Sequence, residues 1–215
     1  MKSPSGLEIS RTLAETCNPS RLALLIYDMQ VGIARQIKDA DVIIAKVGQL
    51  LKAARAAKVR TFFTRHMSLP LPLMGAFQLR MAMAWQRVDD VDEVKPAFLR
   101  DSPGFPIVSV LDPQPSEGIF DKITMSAFEG TPLQIALRDC GVTAFAIAGI
   151  ALEVGIEPTI RHATDLGLVP VLIADACGSG NAEAGRRSLE ALAFEGNTVI
   201  TDVATFTSLI TRSVG

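Results

Sequence analysis

Short apolar runs alternate with stretches of helical spacing along most of the chain. The run RLALLIYD, Arg21 to Asp28, is apolar almost to its last position and predicts a buried strand. In DADVIIAKVGQLLKAARAAK, Asp39 to Lys58, the residues Val42, Ile43, Val47, Leu50 and Leu51 recur at helical spacing behind an aspartate suited to an N-cap. VRTFFTRH predicts a second strand and GIFDKIT a short third one. TPLQIALRDCG reads as a helix with threonine at the cap, proline at its first position and glycine at its end. TAFAIAGI predicts a strand, EPTIRHATDLG a helix closed by Gly167, and LVPVLIADA a further strand. NAEAGRRSLEALAFEG predicts a helix, NTVITD the last strand and VATFTSLI a final short helix.

This alternation predicts an α/β architecture, a doubly wound parallel sheet with helices on both faces. Strands of such a sheet are covered on both sides, so they read as continuous apolar runs instead of alternating ones. The stretch from Met67 to Glu117 breaks the pattern. It reads as long and irregular, is rich in proline and methionine, and carries the only tryptophan, Trp85. Its length suits a lid or binding segment better than a plain connection. Residues 1–20 read as an N-terminal extension, 67–117 as a lid or insert, and 1–215 as a single domain.

Composition narrows the function. Charged residues make up 20% of the 215 and the net charge is −2, with no basic patch of the kind nucleic-acid binding needs. No apolar run approaches the roughly 18 residues of a membrane span. The first residues, MKSPSGLEISRTLAET, have no apolar core of a signal peptide, so a cytoplasmic location is expected. Cys17, Cys140 and Cys177 are few and far apart, which suits small buried or half-buried thiols better than disulfides or a metal site.

In an open α/β sheet, ligands bind beyond the carboxyl ends of the strands. The residues predicted there are Tyr27, Asp28 and Gln30 after the first strand, Thr64, Arg65 and His66 after the second, Asp121 and Lys122 after the third, Glu153 after the fourth, and Asp175 and Cys177 after the fifth. Asp28 closes an apolar run, so its carboxylate is expected in a poorly solvated place, where burial opposes its charge and a nearby lysine supports it. An Asp28/Lys122 pair suits general acid–base work, and equally a structural ion pair. His66 reads as a base, a ligand or a hydrogen-bonded loop residue. Glu153 and Glu157 open a helix, where negative charge is favoured whatever its function. Gln78, Arg80, Trp85 and Arg87 of the lid segment could grip a carboxylate or a ring, or equally be plain surface residues. The glycines do not form a G-x-G-x-x-G fingerprint after the first strand.

Four blocks in order, LLIYDMQ, DKITMSAFEGTPL, AIAGIALEVGIEPTIRHATDLG and VLIADACGS, resemble the isochorismatase-like hydrolases, also called the cysteine hydrolase superfamily. They span Leu24 to about Ser179. The resemblance implies a three-layer αβα, Rossmann-like fold around a six-stranded parallel sheet. It places the catalytic aspartate at Asp28 and the catalytic lysine at Lys122. The nucleophilic cysteine of the amidase members falls six residues after Gly149, at Gly155, which has nothing to attack with. Glycine here resembles the true isochorismatases, whose vinyl-ether hydrolysis needs acid catalysis and no covalent nucleophile. The resemblance further implies a cis peptide at Ile150–Ala151, with the amides of Ala151 and Gly155 donating into the pocket and Gly155 clearing room for substrate.

Substrate contacts are therefore expected from Ile150, Ala151, Glu153, Gln78, Arg87, Trp85 and His66 around a catalytic set of Asp28, Lys122 and Gly155. The DxH…H pattern of metal-binding members is missing from TRHMSLPLP, so no metal and no cofactor are expected. The expected partner is a small carboxylate-type substrate, with no nucleic acid and no membrane, in a homo-oligomer, a dimer or a tetramer. Two alternatives stand beside this hydrolase: an inactive homologue that binds a small molecule, and a cysteine-to-glycine variant of an amidase.

Overall fold

A computed structural model of the chain describes residues 1–212. Six strands, β1 Leu22–Tyr27, β2 Arg60–His66, β3 Gly118–Lys122, β4 Ala144–Ile150, β5 Val169–Gly178 and β6 Val199–Thr201, form one parallel sheet in the order β3-β2-β1-β4-β5-β6. The helices are α1 Leu13–Thr16, α2 Val31–Ala34, α3 Ala40–Ala56, α4 Ala76–Gln86, α5 Leu133–Asp139, α6 Glu157–Asp165, α7 Ala182–Glu195 and α8 Val203–Arg212.

The period-two alternation of strand side chains divides the core in two. Leu22, Leu24 and Ile26 of β1 pack with Ala146 and Ile173 under α3 and α8, through Val47, Leu50, Phe206 and Ile210. Ala23, Leu25 and Tyr27 point the other way, onto Phe145, Ile147 and Leu172 and the residues Leu137, Ile160 and Leu192 of α5, α6 and α7. Both faces are covered, which is why β1 and β4 carry no polar side chain before their ends. Helix boundaries follow local chemistry. Asn181 caps α7 by accepting from the Ala184 amide at 2.9 Å, and Gly196 ends it with a left-handed φ of 70°. Val42, one of the apolar positions of α3, lies outside the core and is exposed.

Two expectations are corrected here. The segment 67–117 is not irregular throughout, because it contains the 11-residue helix α4. No residue of α4 is buried, and its apolar residues form no single stripe, so its sequence carries no helical signature. Cys140 is exposed at the end of α5, while Cys17 and Cys177 are the buried and half-buried thiols.

The strand order turns back beside β1: β2 and β3 extend to one side, β4 to β6 to the other. The crevice at the carboxyl ends of β1 and β4 is the switch point where such sheets bind ligands. There Tyr27 is in register with Gly149, whose φ of 133° and close approach to the Tyr27 backbone leave no space for a Cβ. Gln30 ties the segment 67–117 to this crevice. Its carboxamide donates to the carbonyls of His66 at 3.0 Å and Phe105 at 2.8 Å and accepts from the His66 amide at 2.6 Å.

Candidate active site

The end of β1 brings three polar groups together. Tyr27 is the last residue of the strand, on the face it shares with Leu25. Asp28 follows with φ 45°, a left-handed conformation that aspartate tolerates better than most residues but that still strains the chain. This turn takes Asp28 out of the strand's alternation, so two consecutive side chains meet the same partner, Lys122, at the end of β3.

Lys122 Nζ donates to Asp28 Oδ2 at 2.7 Å, to Tyr27 Oη at 2.8 Å and to the Thr124 carbonyl at 3.2 Å. All three ammonium protons are thereby engaged. Asp28 Oδ1 accepts from Thr64 Oγ1 at 2.6 Å, and Tyr27 Oη donates to the Met125 carbonyl. Tyr27, Asp28 and Lys122 are only 2%, 4% and 3% exposed, so the group works in a poorly solvated environment. Burial pushes Lys122 below the usual lysine range, against the opposing pull of the Asp28 carboxylate. Burial and the Asp28 charge hold the Tyr27 phenol well above its usual range.

Gly155 lies on the other side of Tyr27, in a π-helical turn over Leu152–Ile156 that leads into α6. A Cβ at this position would overlap the Tyr27 hydroxyl and ring. The glycine therefore does not clear room for substrate: the space is filled by Tyr27. The Gly155 amide donates to the Ala151 carbonyl at 3.1 Å, inside the turn, and not into a pocket. Thr159 Oγ1 donates to the Gly155 carbonyl at 2.7 Å and locks the turn to α6. The Ile150–Ala151 peptide bond is cis. Ile150 is a core residue, and Ala151 packs against that core.

A cavity of about 160 Å³ opens between the end of β2 and α4. His66, Gln78 and Trp85 line it, with Phe98 and the methionines Met67, Met74 and Met81. His66 stands in register with Lys122, which sets the cavity beside the buried Asp28–Lys122 pair, although neither residue of the pair lines it. Burial lowers the His66 pKa, partly opposed by the Asp28 charge and assisted by that of Lys122, so the imidazole is neutral near pH 7. Its ring packs edge-on against Phe98 with centroids 5.8 Å apart.

Four sequence-predicted contacts lie outside this lining: Ile150 and Ala151, which belong to the core, and Arg87 and Glu153. Arg87 ends α4 with a left-handed φ of 57° and is exposed, outside the cavity lining. Glu153 turns toward the start of α7, where its Oε1 accepts from the Asn181 amide at 2.8 Å, a favourable place for a carboxylate at a helix N-terminus. Glu157 pairs with Arg161 one turn along α6, at 2.7 Å. Sequence reasoning places Tyr27 and Thr64 at strand ends but gives neither a role. The one signal for Tyr27 is that the chain's only tyrosine directly precedes Asp28. Among the described residues, no group of three or more His, Cys, Asp or Glu side chains is placed to hold a metal ion, and no helix is long and apolar enough to cross a membrane.

Residues 22–204 match the isochorismatase domain model. The chain is 28% identical over 175 residues to an uncharacterised isochorismatase family protein, YecD, of Escherichia coli O157:H7, covering 80% of this chain and 87% of that one. It is 24% identical over 208 residues to the ureidoacrylate amidohydrolase RutB of Methylobacterium radiotolerans, covering 90% and 81%. The crystal structure of a cysteine hydrolase from Pseudomonas syringae pv. phaseolicola 1448A superposes with a TM-score of 0.77 at 27% identity, over 91% of this chain and 95% of that one.

Proposed function

The chain belongs to the isochorismatase family of hydrolases, and on that premise we propose that it cleaves a small molecule by proton transfer through Asp28 and Lys122, with no covalent nucleophile at position 155. The observation that carries this reading is the interlock of Gly155 and Tyr27. Position 155, where amidases of this superfamily resemble one another in bearing cysteine, has no side chain, and the Tyr27 hydroxyl fills the place one would take. The acid–base pair beside it is intact, buried and 2.7 Å apart.

A substrate that suits this equipment is an enol ether. Asp28 passes to the substrate carbon a proton supplied by Lys122, whose hold on it is weakened by burial. The carbon–carbon double bond takes the proton and leaves an oxocarbenium ion. Water adds to that ion and returns one proton to the pair. The resulting hemiketal collapses to a ketone and an alcohol, and the pair ends as it began.

Hydrolysis of a panel of enol ethers and amides in D2O tests the reading. The expected product carries one deuterium on the carbon next to the new carbonyl, and Asp28→Asn abolishes turnover. Amide cleavage through an acyl-enzyme, seen as acyl transfer to hydroxylamine, would overturn it. One observation favours a second reading, that of a binding protein: Asp28 and Lys122 do not line the cavity beside them. Saturable binding without turnover of any panel member would support that reading.

A further inference from the structure

We infer that Tyr27 is a positioning residue for proton transfer: its hydroxyl accepts a hydrogen bond from Lys122 while the lysine is charged, and turns to donate one when Lys122 has given its proton up. The inference rests on the acid–base reading of Asp28 and Lys122 above and adds a third member to that pair.

A buried lysine that alternates between ammonium and amine needs different partners in its two states. The ammonium has three protons to donate, while the amine keeps two and has a lone pair to satisfy. Lys122 is 3% exposed, so bulk water does not make up the difference. Its three partners are the Asp28 carboxylate at 2.7 Å, the Tyr27 hydroxyl at 2.8 Å and the Thr124 carbonyl at 3.2 Å. The carbonyl can only accept. Asp28 can donate only while it holds the proton, and that is the proton the substrate takes. The hydroxyl alone can accept or donate whatever Asp28 carries.

The protons then balance. Lys122 passes one to Asp28 Oδ2, and Asp28 passes it to the substrate carbon. The Tyr27 O–H leaves the Met125 carbonyl, to which it donates in the resting site, and meets the bare lone pair on Nζ. When the attacking water returns a proton to the pair, the hydroxyl turns back. Tyr27 keeps its own proton throughout, because burial and the Asp28 charge oppose its ionisation.

The surroundings fit this role. Thr64 donates to Asp28 Oδ1 at 2.6 Å, so Oδ2 is the oxygen that takes the Lys122 proton. Nζ lies 4.3 Å from the centroid of the Tyr27 ring, a cation–π contact that favours the ammonium. The other ionisable groups on neighbouring strands are His66 of β2, neutral near pH 7, and Asp121 of β3, already paired with Arg65. The hydroxyl can stand where it does only because residue 155 is glycine, since a Cβ there would overlap it.

Tyr27 is the only tyrosine of the chain, so tyrosine enriched in 13C at Cζ labels it alone. The whole protein is titrated upward from pH 7 by NMR, with phenolate absorbance and far-UV dichroism followed in parallel. The expected result is a step in the Cζ shift as Lys122 deprotonates, below the ordinary lysine value of about 10.4, with no phenolate absorbance and no unfolding. The step is absent when Asp28→Leu and Lys122→Met are combined. A step that comes with phenolate absorbance overturns the inference, and so does a shift that stays flat until the phenol ionises or the fold melts. Turnover gives a second readout on any substrate cleaved in an Asp28-dependent way. Tyr27→Phe keeps the ring and is expected to lower kcat about ten-fold or more, the scale of one lost hydrogen bond to a charged group, with KM unchanged. A wild-type kcat in this variant overturns the inference. A protein that shows the step and cleaves nothing keeps the Tyr27–Lys122 exchange and loses the hydrolase reading. One that cleaves an enol ether through Asp28 and shows no step does the reverse.

Discussion

The hydroxyl of Tyr27 occupies the place a side chain at Gly155 would take. The two residues come from opposite ends of the site, one at the end of β1 and one in the turn before α6, so each restricts what the other position can hold. Gly155→Cys alone is expected to destabilise the fold by about 1–3 kcal/mol, as overpacking of a filled site does. In a Tyr27→Val background the same change meets open space, and its penalty should shrink, a coupling of about 1–3 kcal/mol between contacting residues. Urea denaturation of the four proteins measures it; additive effects would mean the residues do not interlock. The same geometry implies that Gly155→Cys alone does not produce an amidase.

Asp28 and Lys122 form a buried pair in which each charge depends on the other. Asp28→Asn leaves the ammonium with neutral partners only, and a loss of about 3–5 kcal/mol is expected, as for other broken buried pairs. Replacing both residues, with Asp28→Leu and Lys122→Met, removes the charges together and should cost less than the single change. Turnover should be absent in both variants. Thermal and urea melts compare them, and a double variant less stable than Asp28→Asn would contradict the interdependence.

The sheet is legible in the sequence because parallel strands covered on both faces must be apolar throughout, and the runs stop where β1, β2 and β3 reach their carboxyl ends. Asp28 stands out for the same reason, as a charge that closes the buried strand β1, whereas Lys122 closes the edge strand β3, of which it alone is buried. The role of Tyr27 is hidden because it continues the apolar run. Its contact with Lys122 depends on the left-handed turn at Asp28 and on the missing Cβ at residue 155, neither of which is local to it. Glu153 opens the turn after β4 and therefore reads as a site residue, yet the π-helical turn aims it at Asn181. Arg87 reads as part of a substrate grip, but the left-handed end of α4 leaves it exposed.

The three thiols differ enough in burial to be told apart chemically. Cys17 and Cys177 are pushed up to about 12 by burial, and Cys177 also donates to the Ile173 carbonyl at 3.3 Å. The thiolate is the reactive form, so neither should react at neutral pH. Iodoacetamide is expected to label native protein once, at exposed Cys140, with the other two reacting only after unfolding. Cys177→Ala should retain turnover; its loss would make Cys177 a stand-in for the missing nucleophile. Peptide mapping and a kinetic assay decide both points.

His66 gives the fold a pH dependence whose sign follows from its burial. Its pKa is lowered in the folded protein relative to the ordinary value of about 6.5. Between that ordinary value and the lowered one, the unfolded chain binds a proton that the folded protein refuses. The unfolded state then holds more protons, so stability rises with pH across this window. The contribution is fully present above about pH 6.5 and is lost as pH falls through the folded-state pKa. Urea midpoints from pH 7.5 down to 5 should therefore decline for the wild type and decline less for His66→Gln, which has no proton to take up. The same protonation puts a positive charge on the wall of the cavity beside Lys122. Equal slopes for the two proteins would show that His66 is not the group whose burial sets the response.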